Sequence, residues 1–243
     1  LDLQLRGKRA LVTGGSRGIG RATARGFGFE GCAVALCARS GDELAIATSE
    51  LARETGAKFV GIPCDTHDDD SIRAFVTAAA AELGGVDILV NAAARVGGTA
   101  PEDFDSVSDA LLMGDFEEKA VGYFRCSRAV VPYMRNEGWG RIVNIAGLSA
   151  RRPGSAMSTP ARNAAVVAMT IAMANSLGRY GIGVNAVHPG RTMTESVGER
   201  LPEGTATTRF VSPDEVASVV IFLSSPPAAG ISGEAIAVTR ESA

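Results

Sequence analysis

At 243 residues, 46% of them apolar and 21% charged, the chain is long enough for a sizeable buried core and too apolar for disorder to be its main state. Its 24 lysines and arginines fall short of its 27 aspartates and glutamates, and the resulting formal charge of −3 argues against a charge-driven binder of nucleic acid or membrane surface. The longest apolar run, Ala164 to Ala174, is broken by Thr170 and is far shorter than the roughly 18 residues that a membrane-spanning helix needs.

From the first strand onward, short β-like runs alternate with helical ones. Arg9–Thr13 reads as a strand, and the turn Thr13-Gly14-Gly15-Ser16-Arg17-Gly18-Ile19-Gly20 leads from it into a helix over Ile19–Phe29. Glycines there let the backbone turn tightly and approach a pyrophosphate, whose charge suits the free N–H groups and positive end of the helix. A tight strand-to-helix turn alone needs one glycine rather than four, so Gly14, Ser16, Arg17, Gly18, Ile19 and Gly20 are assigned to nucleotide binding. The second strand, Ala33–Ala38, runs into Arg39 and Ser40. An NAD site usually places Asp or Glu at that point to accept from the ribose 2′-hydroxyl, whereas an arginine accommodates a 2′-phosphate. With Arg17 in the loop, Arg39 after the strand and no acid, NADP is expected in preference to NAD. The alternative leaves both arginines as solvated surface charges.

A helix over Asp42–Thr55, a strand at Lys58–Ile62, a helix over Asp69–Leu83 and a strand at Ile88–Asn91 follow. Next come a long helix over Asp103–Arg135, a strand at Arg141–Ala146, a helix over Pro160–Leu177, a strand at Gly183–His188, a helix over Pro213–Leu223 and a strand at Ala235–Val238. The strands are rich in Val, Ile and Leu without strict alternation, which suits a sheet covered by helices on both faces. The pattern predicts one doubly wound α/β (Rossmann) domain over residues 1–243, with about seven mostly parallel strands. Met193–Val211 is the long stretch without a clear period, lies beyond a strand end and is a candidate substrate lid. Cys32, Cys37, Cys64 and Cys126 have no CxxC spacing and the two histidines form no HExxH, so no metal site is expected, and the cysteines read as free buried thiols of a reducing cytoplasm. The segment from Leu1 to Arg6 has no apolar signal core, and the default expectation is a cytoplasmic protein.

The chain resembles the short-chain dehydrogenase/reductase family along essentially its whole length. The resemblance is carried by Thr13-Gly14-x-x-x-Gly18-x-Gly20, Cys64-Asp65, Asn91-Ala92-Ala93-Ala94, Gly140-Arg141-Ile142-Val143-Asn144-Ile145, Val184-Asn185-Ala186-Val187-His188-Pro189-Gly190 and Ser212-Pro213-Asp214-Glu215-Val216-Ala217. It is similar in style to oxoacyl-carrier-protein reductases and to sugar or alcohol dehydrogenases. The resemblance implies Asp65 and Thr66 beside the adenine, Asn91 and Ala93 on the ribose side, and Pro189, Gly190, Thr192 and Thr194 at the nicotinamide. It also implies a homo-oligomer, dimer or tetramer, formed through the two long central helices, whose apolar residues exceed what one sheet face can cover.

The family supplies the proton for carbonyl reduction from a Tyr assisted by a Lys four residues on, a Ser, and an Asn on the preceding long helix. This sequence has Ser158 in place of the Tyr, Arg162 in place of the Lys, Gly147 in place of the Ser and Lys119 in place of the Asn. The interval from Gly147 to Ser158 is slightly shorter than in many members, which lets Ser149 move into the missing serine's place. A serine hydroxyl is a far weaker acid than a phenol, whose reference pKa is about 10. Arginine keeps its proton, with a pKa above about 12, so in the lysine's place it can hold the cofactor ribose but cannot relay a proton. Losing a placed general acid removes on the order of 100- to 10,000-fold in rate.

Lys119 and Arg162 together put two cations in one pocket, and an anion must relieve them. It is either a substrate carboxylate or developing enolate or alkoxide, or else Glu117, Glu118 or cofactor oxygens. A lysine beside another cation has a depressed pKa, which makes Lys119 a substitute proton source. Tyr123, one turn further on, either faces the pocket or packs the helix, and His188 either titrates in the site or caps its strand end. Ser158 reads equally as an N-cap before Thr159-Pro160. Lys119, Ser149, Ser158 and Arg162 are therefore the candidate catalytic set of an NADP(H)-dependent oxidoreductase with an atypical proton donor, acting on a small carbonyl or alcohol, with or without an acid group. The rival readings are an anion-binding lyase- or dehalogenase-like enzyme and a catalytically silent cofactor-binding subunit. Halohydrin dehalogenases also depart from the Lys but lack the nucleotide glycines, which disfavours that branch.

Overall fold

Seven short apolar runs pair into one parallel sheet in a computed structural model that describes residues 1–95, 98, 103–199, 201 and 208–240. The strands are β1 (Arg9–Thr13), β2 (Ala33–Cys37), β3 (Phe59–Gly61), β4 (Ile88–Asn91), β5 (Gly140–Ile145), β6 (Ile182–Pro189) and β7 (Ala235–Val238). Their order is β3-β2-β1-β4-β5-β6-β7, with every neighbouring pair parallel. Every residue of β4 and β5 is buried, whereas the edge strands β3 and β7 are partly exposed. That gradient explains the unalternating sequence of the central strands, which have helices on both faces.

Successive strand residues point to opposite faces. Ala10, Val12, Val34 and Leu36 therefore meet Phe27 of helix α1 (Gly18–Phe29), Leu44 and Leu51 of α2 (Gly41–Thr55) and Val216 and Val220 of the last long helix, while Leu11 and Ala35 between them meet Ile72 and Phe75 of α3 (Asp69–Leu83). Each such Val, Leu, Ile or Phe side chain taken wholly from water contributes about 1.5–3 kcal/mol of burial free energy.

The long helix expected over Asp103–Arg135 is divided. A 3-10 turn at Phe104–Ser106 precedes Ser108, whose hydroxyl accepts from the Leu111 N–H and starts α4 at Asp109. The segment α4 (Asp109–Phe116) passes through a π turn at Glu117–Val121 into α5 (Gly122–Glu137). Helix α6 (Ser158–Leu177) begins two residues before the expected Pro160. A four-residue turn, α7 (Glu195–Gly198), lies in the expected lid, and α8 (Pro213–Leu223) starts on a reciprocal Ser212–Glu215 capping box. The lid segment is anchored at its two ends: the Met193 N–H donates to the Val211 carbonyl and the Val211 N–H to that of Arg191. Its residues 200 and 202–207 lie outside the described residues. Among the described residues no helix is long and apolar enough to cross a membrane, and all four cysteines are buried and free.

Candidate active site

The chain crosses from β3 at one edge of the sheet to β4 beside β1, so connections diverge between β1 and β4, and a cleft of about 1060 Å³ opens at the carboxyl ends of the strands there. The glycine loop forms one wall. Gly14 has φ +68°, and a Cβ on it would lie 2.9 Å from Ala93 Cα. A Cβ on Gly20 would lie 2.2 Å from the Gly14 carbonyl oxygen. Loop, helix and the end of β4 thus approach more closely than any other residue allows. The Thr13 hydroxyl accepts from the Ala92 and Ala93 N–H groups at 3.1 and 3.2 Å and ties the two loops together.

Arg17, the N-cap of α1, gives that helix no side-chain cap, and the positive helix end faces the cleft, where an anion is favoured. The carboxylate of Glu195 on α7 accepts from the Gly18 N–H at 3.1 Å. Ser16, Arg17, Gly18, Ile19 and Arg39 line one end of the cleft together with Thr66, and Ala93, Pro189, Gly190, Thr192 and Thr194 line it further along. Asp65 and Asn91 do not line it. Asp65 accepts from the His67 N–H and Nδ1, which hold its carboxyl below the usual range. Asn91 is fully buried and donates to Asn144 Oδ1 and Ser127 Oγ at 2.9 and 3.2 Å, bracing β4 against β5 and α5.

The π turn supplies the other end. It buries Glu118, Lys119 and Ala120 in succession, more than one stripe of a regular helix can turn inward. Lys119 is 6% exposed and lines the cleft, and its Nζ donates to the Ala146 carbonyl at 2.7 Å. Burial, and then the charge of Arg162, push its pKa down to about 7 against the opposing pull of Glu118. Arg162, 2% exposed, donates through Nη2 to the Arg95 carbonyl at 2.6 Å and through Nη1 to Glu118 Oε2 at 3.4 Å. Its Nε has no partner among the described residues. Of the two kinds of counter-ion left open by the sequence, the structure therefore provides Glu118, which also accepts from the Arg95 N–H. Glu117 is turned away to Arg125.

Ser158 is placed differently from its sequence neighbours. It is 1% exposed and absent from the cleft wall, and its hydroxyl neither caps α6 nor faces a ligand but donates to Asp115 Oδ2 of α4. Ser149 does line the cleft, and its oxygen accepts from Asn163 Nδ2 at 2.9 Å. Tyr123 gives its hydroxyl to the Ile145 carbonyl at 3.1 Å, and burial drives its pKa far up. It lines the cleft and also packs in a buried cluster with Ala146 and Val166. His188 donates from Nδ1 to the Gly147 carbonyl at 2.8 Å and is pulled below the ordinary histidine pKa by burial, a strand-end brace rather than a group on the cleft wall.

Asn163 went unread in the sequence. It is buried on the cleft wall beside Gly147, and the only signal for it was a polar side chain next to Arg162 at the start of an apolar helix.

The family model described as short chain dehydrogenase matches residues 8–203. The chain is 32% identical over 250 residues to the 3-oxoacyl-[acyl-carrier-protein] reductase FabG of Aquifex aeolicus, with 98% of both chains covered. Among solved structures, a variant of actinorhodin polyketide ketoreductase with NADPH superposes with a TM-score of 0.86 at 36% identity over 95% of each chain. A 7α-hydroxysteroid dehydrogenase complexed with NADH and 7-oxo glycochenodeoxycholic acid superposes with a TM-score of 0.90 at 29% identity, covering 98% of this chain and 95% of that one.

Proposed function

The chain belongs to the short-chain dehydrogenase family of oxidoreductases, and from that premise we propose that it is an NADP(H)-dependent reductase of small ketones that carry an acid group, with Lys119 as the proton source. The carrying observation is the buried Lys119 ammonium on the cleft wall, acidified by its surroundings, in a site whose tyrosine position holds a serine that faces elsewhere.

Bound NADPH supplies the hydride. The glycine loop and the N-terminal end of α1 would hold its pyrophosphate in place of the Glu195 carboxylate on the Gly18 N–H, and Arg17 and Arg39, both exposed on the wall with no acid at the end of β2 itself, would receive the 2′-phosphate. Arg162, in the family lysine's position, holds the ribose hydroxyls and keeps the neighbouring ammonium acidic. Lys119 delivers a proton to the substrate oxygen as negative charge develops there, and a pKa near 7 lets it do so at neutral pH. Among the described residues Glu118 is the one buried acid on the cleft wall against the two buried cations, so a further negative charge is stabilised there. The exposed guanidinium groups of Arg95 and Arg152 on the same wall favour a substrate carboxylate. The described part of Met193–Val211, which lines the cleft from Thr194 to Val197 and at Leu201 and Phe210, serves as the substrate lid, and the described residues form a single domain.

The test is NADPH consumption with a panel of ketones: acetoacetate and 2-oxobutanoate beside the uncharged 2-pentanone and cyclohexanone. The reading expects turnover, at least tenfold more efficient for the acids. Product formation without any change in the cofactor, or no NADPH oxidation with any of the four, overturns it.

A further inference from the structure

We propose that the side-chain amide of Asn163, seated in the space that Gly147 leaves open and braced by Ser149, holds the substrate's carbonyl oxygen. The assignment rests on the ketone-reductase reading above. A Cβ built on Gly147 would stand 2.5 Å from Asn163 Nδ2, so the amide fills the volume that a side chain at position 147 would take. Gly147 itself has φ 175°, extended backbone that any residue adopts, and its carbonyl is fixed by His188. The glycine therefore serves to make room for Asn163 rather than to permit an unusual turn.

The hydrogen-bonding capacity of the amide is only partly used. Asn163 is 3% exposed and lines the cleft. Of the two hydrogens on Nδ2, one goes to Ser149 Oγ, and Oδ1 has no partner among the described residues. An unsatisfied buried oxygen beside a large cleft points to a ligand that completes it. A carbonyl oxygen accepts from the second N–H and from the Ser149 hydroxyl, while the hydroxyl of the product alcohol can donate to Oδ1. Asn163 follows Arg162 on α6, and Lys119 reaches the Ala146 carbonyl one residue before Gly147, so the proton donor and the amide flank the same turn. Asn163 and Ser149 together orient the oxygen, and Lys119 protonates it.

The experiment compares wild type, N163A, G147S/N163A and G147A/N163A on whichever panel ketone the wild type reduces fastest, with NADPH dissociation constants and melting temperatures measured alongside. N163A is expected to lower kcat at least tenfold while the NADPH dissociation constant stays within twofold of wild type. Adding G147S, whose hydroxyl enters the vacated volume, is expected to restore kcat at least fivefold over N163A. G147A, which fills the volume without a hydroxyl, restores nothing. Retained kcat in N163A, equal recovery by G147A and G147S, or any other pattern overturns the inference while leaving the reductase reading intact. Absence of NADPH oxidation in the wild type overturns both.

Discussion

Lys119 is the side chain on which folding and chemistry pull in opposite directions. Burial in the π turn disfavours its charge, Arg162 adds to that, and Glu118 opposes it. Because its folded pKa is lowered to about 7 from 10.5, the unfolded chain binds more protons between those values, so this group makes stability rise with pH through that window and leaves the full penalty below it. Lys119→Met is therefore expected to raise the melting temperature relative to wild type most at pH 7 and below, with the difference shrinking toward pH 10. A difference that is flat with pH would remove the buried-charge account. Ser158→Tyr alone is expected not to create a strong ordinary ketone reductase, as turnover of cyclohexanone would show. The position faces Asp115 inside the molecule, and forcing in a ring there costs about 1–3 kcal/mol. The glycines of the phosphate loop were legible in the sequence because their spacing expresses a purely local backbone demand. The placement of Ser158 was not, because its hydroxyl chooses between its own helix end and an acid 43 residues earlier. Glu118 was legible only as one of several counter-ions, because its pairing with Arg162 spans 44 residues.

At the scale of elements, apolar runs located the strands to within a residue or two at each end, and α3 and α8 have the expected limits. The π turn was invisible because the sequence around it keeps an apolar helical pattern, and one extra residue per turn leaves no signature in composition. Yet that turn aims Glu118 and Lys119 inward together. The turn from β2 into α2 carries the choice of cofactor. Arg39 stands there exposed, followed by Ser40, whose hydroxyl caps α2 by accepting from the Glu43 N–H. NADP is expected to bind at least tenfold tighter than NAD, about 1.4 kcal/mol. Arg39→Asp is expected to weaken NADP far more than NAD, and equal affinities of the wild type for both by calorimetry would contradict the assignment.

The whole molecule presents one sheet whose strand ends carry the cleft and whose flanking helices carry an apolar surface. Leu111 and Met113 of α4, Val121 of the π turn, Phe124 of α5 and Ile171 of α6 are exposed. Such a surface suits a symmetric homo-oligomer. Light scattering at micromolar concentration is expected to give a dimer or tetramer, and Phe124→Asp with Ile171→Asp a smaller species. A monomeric wild type would exclude the assembly. The parallel sheet and its two helix layers were legible from the alternation of strand and helix runs, whereas the site's chemistry depends on which side chains the folded sheet brings opposite one another. The most direct test of Lys119 as the proton donor is the pH dependence of single-turnover NADPH oxidation with acetoacetate, in wild type and Lys119→Met. Since the protonated amine is the acid, the wild-type rate is expected to fall as pH rises through about 7, and the Met variant to be at least tenfold slower without that fall. The same rate and the same profile in both proteins would contradict the account.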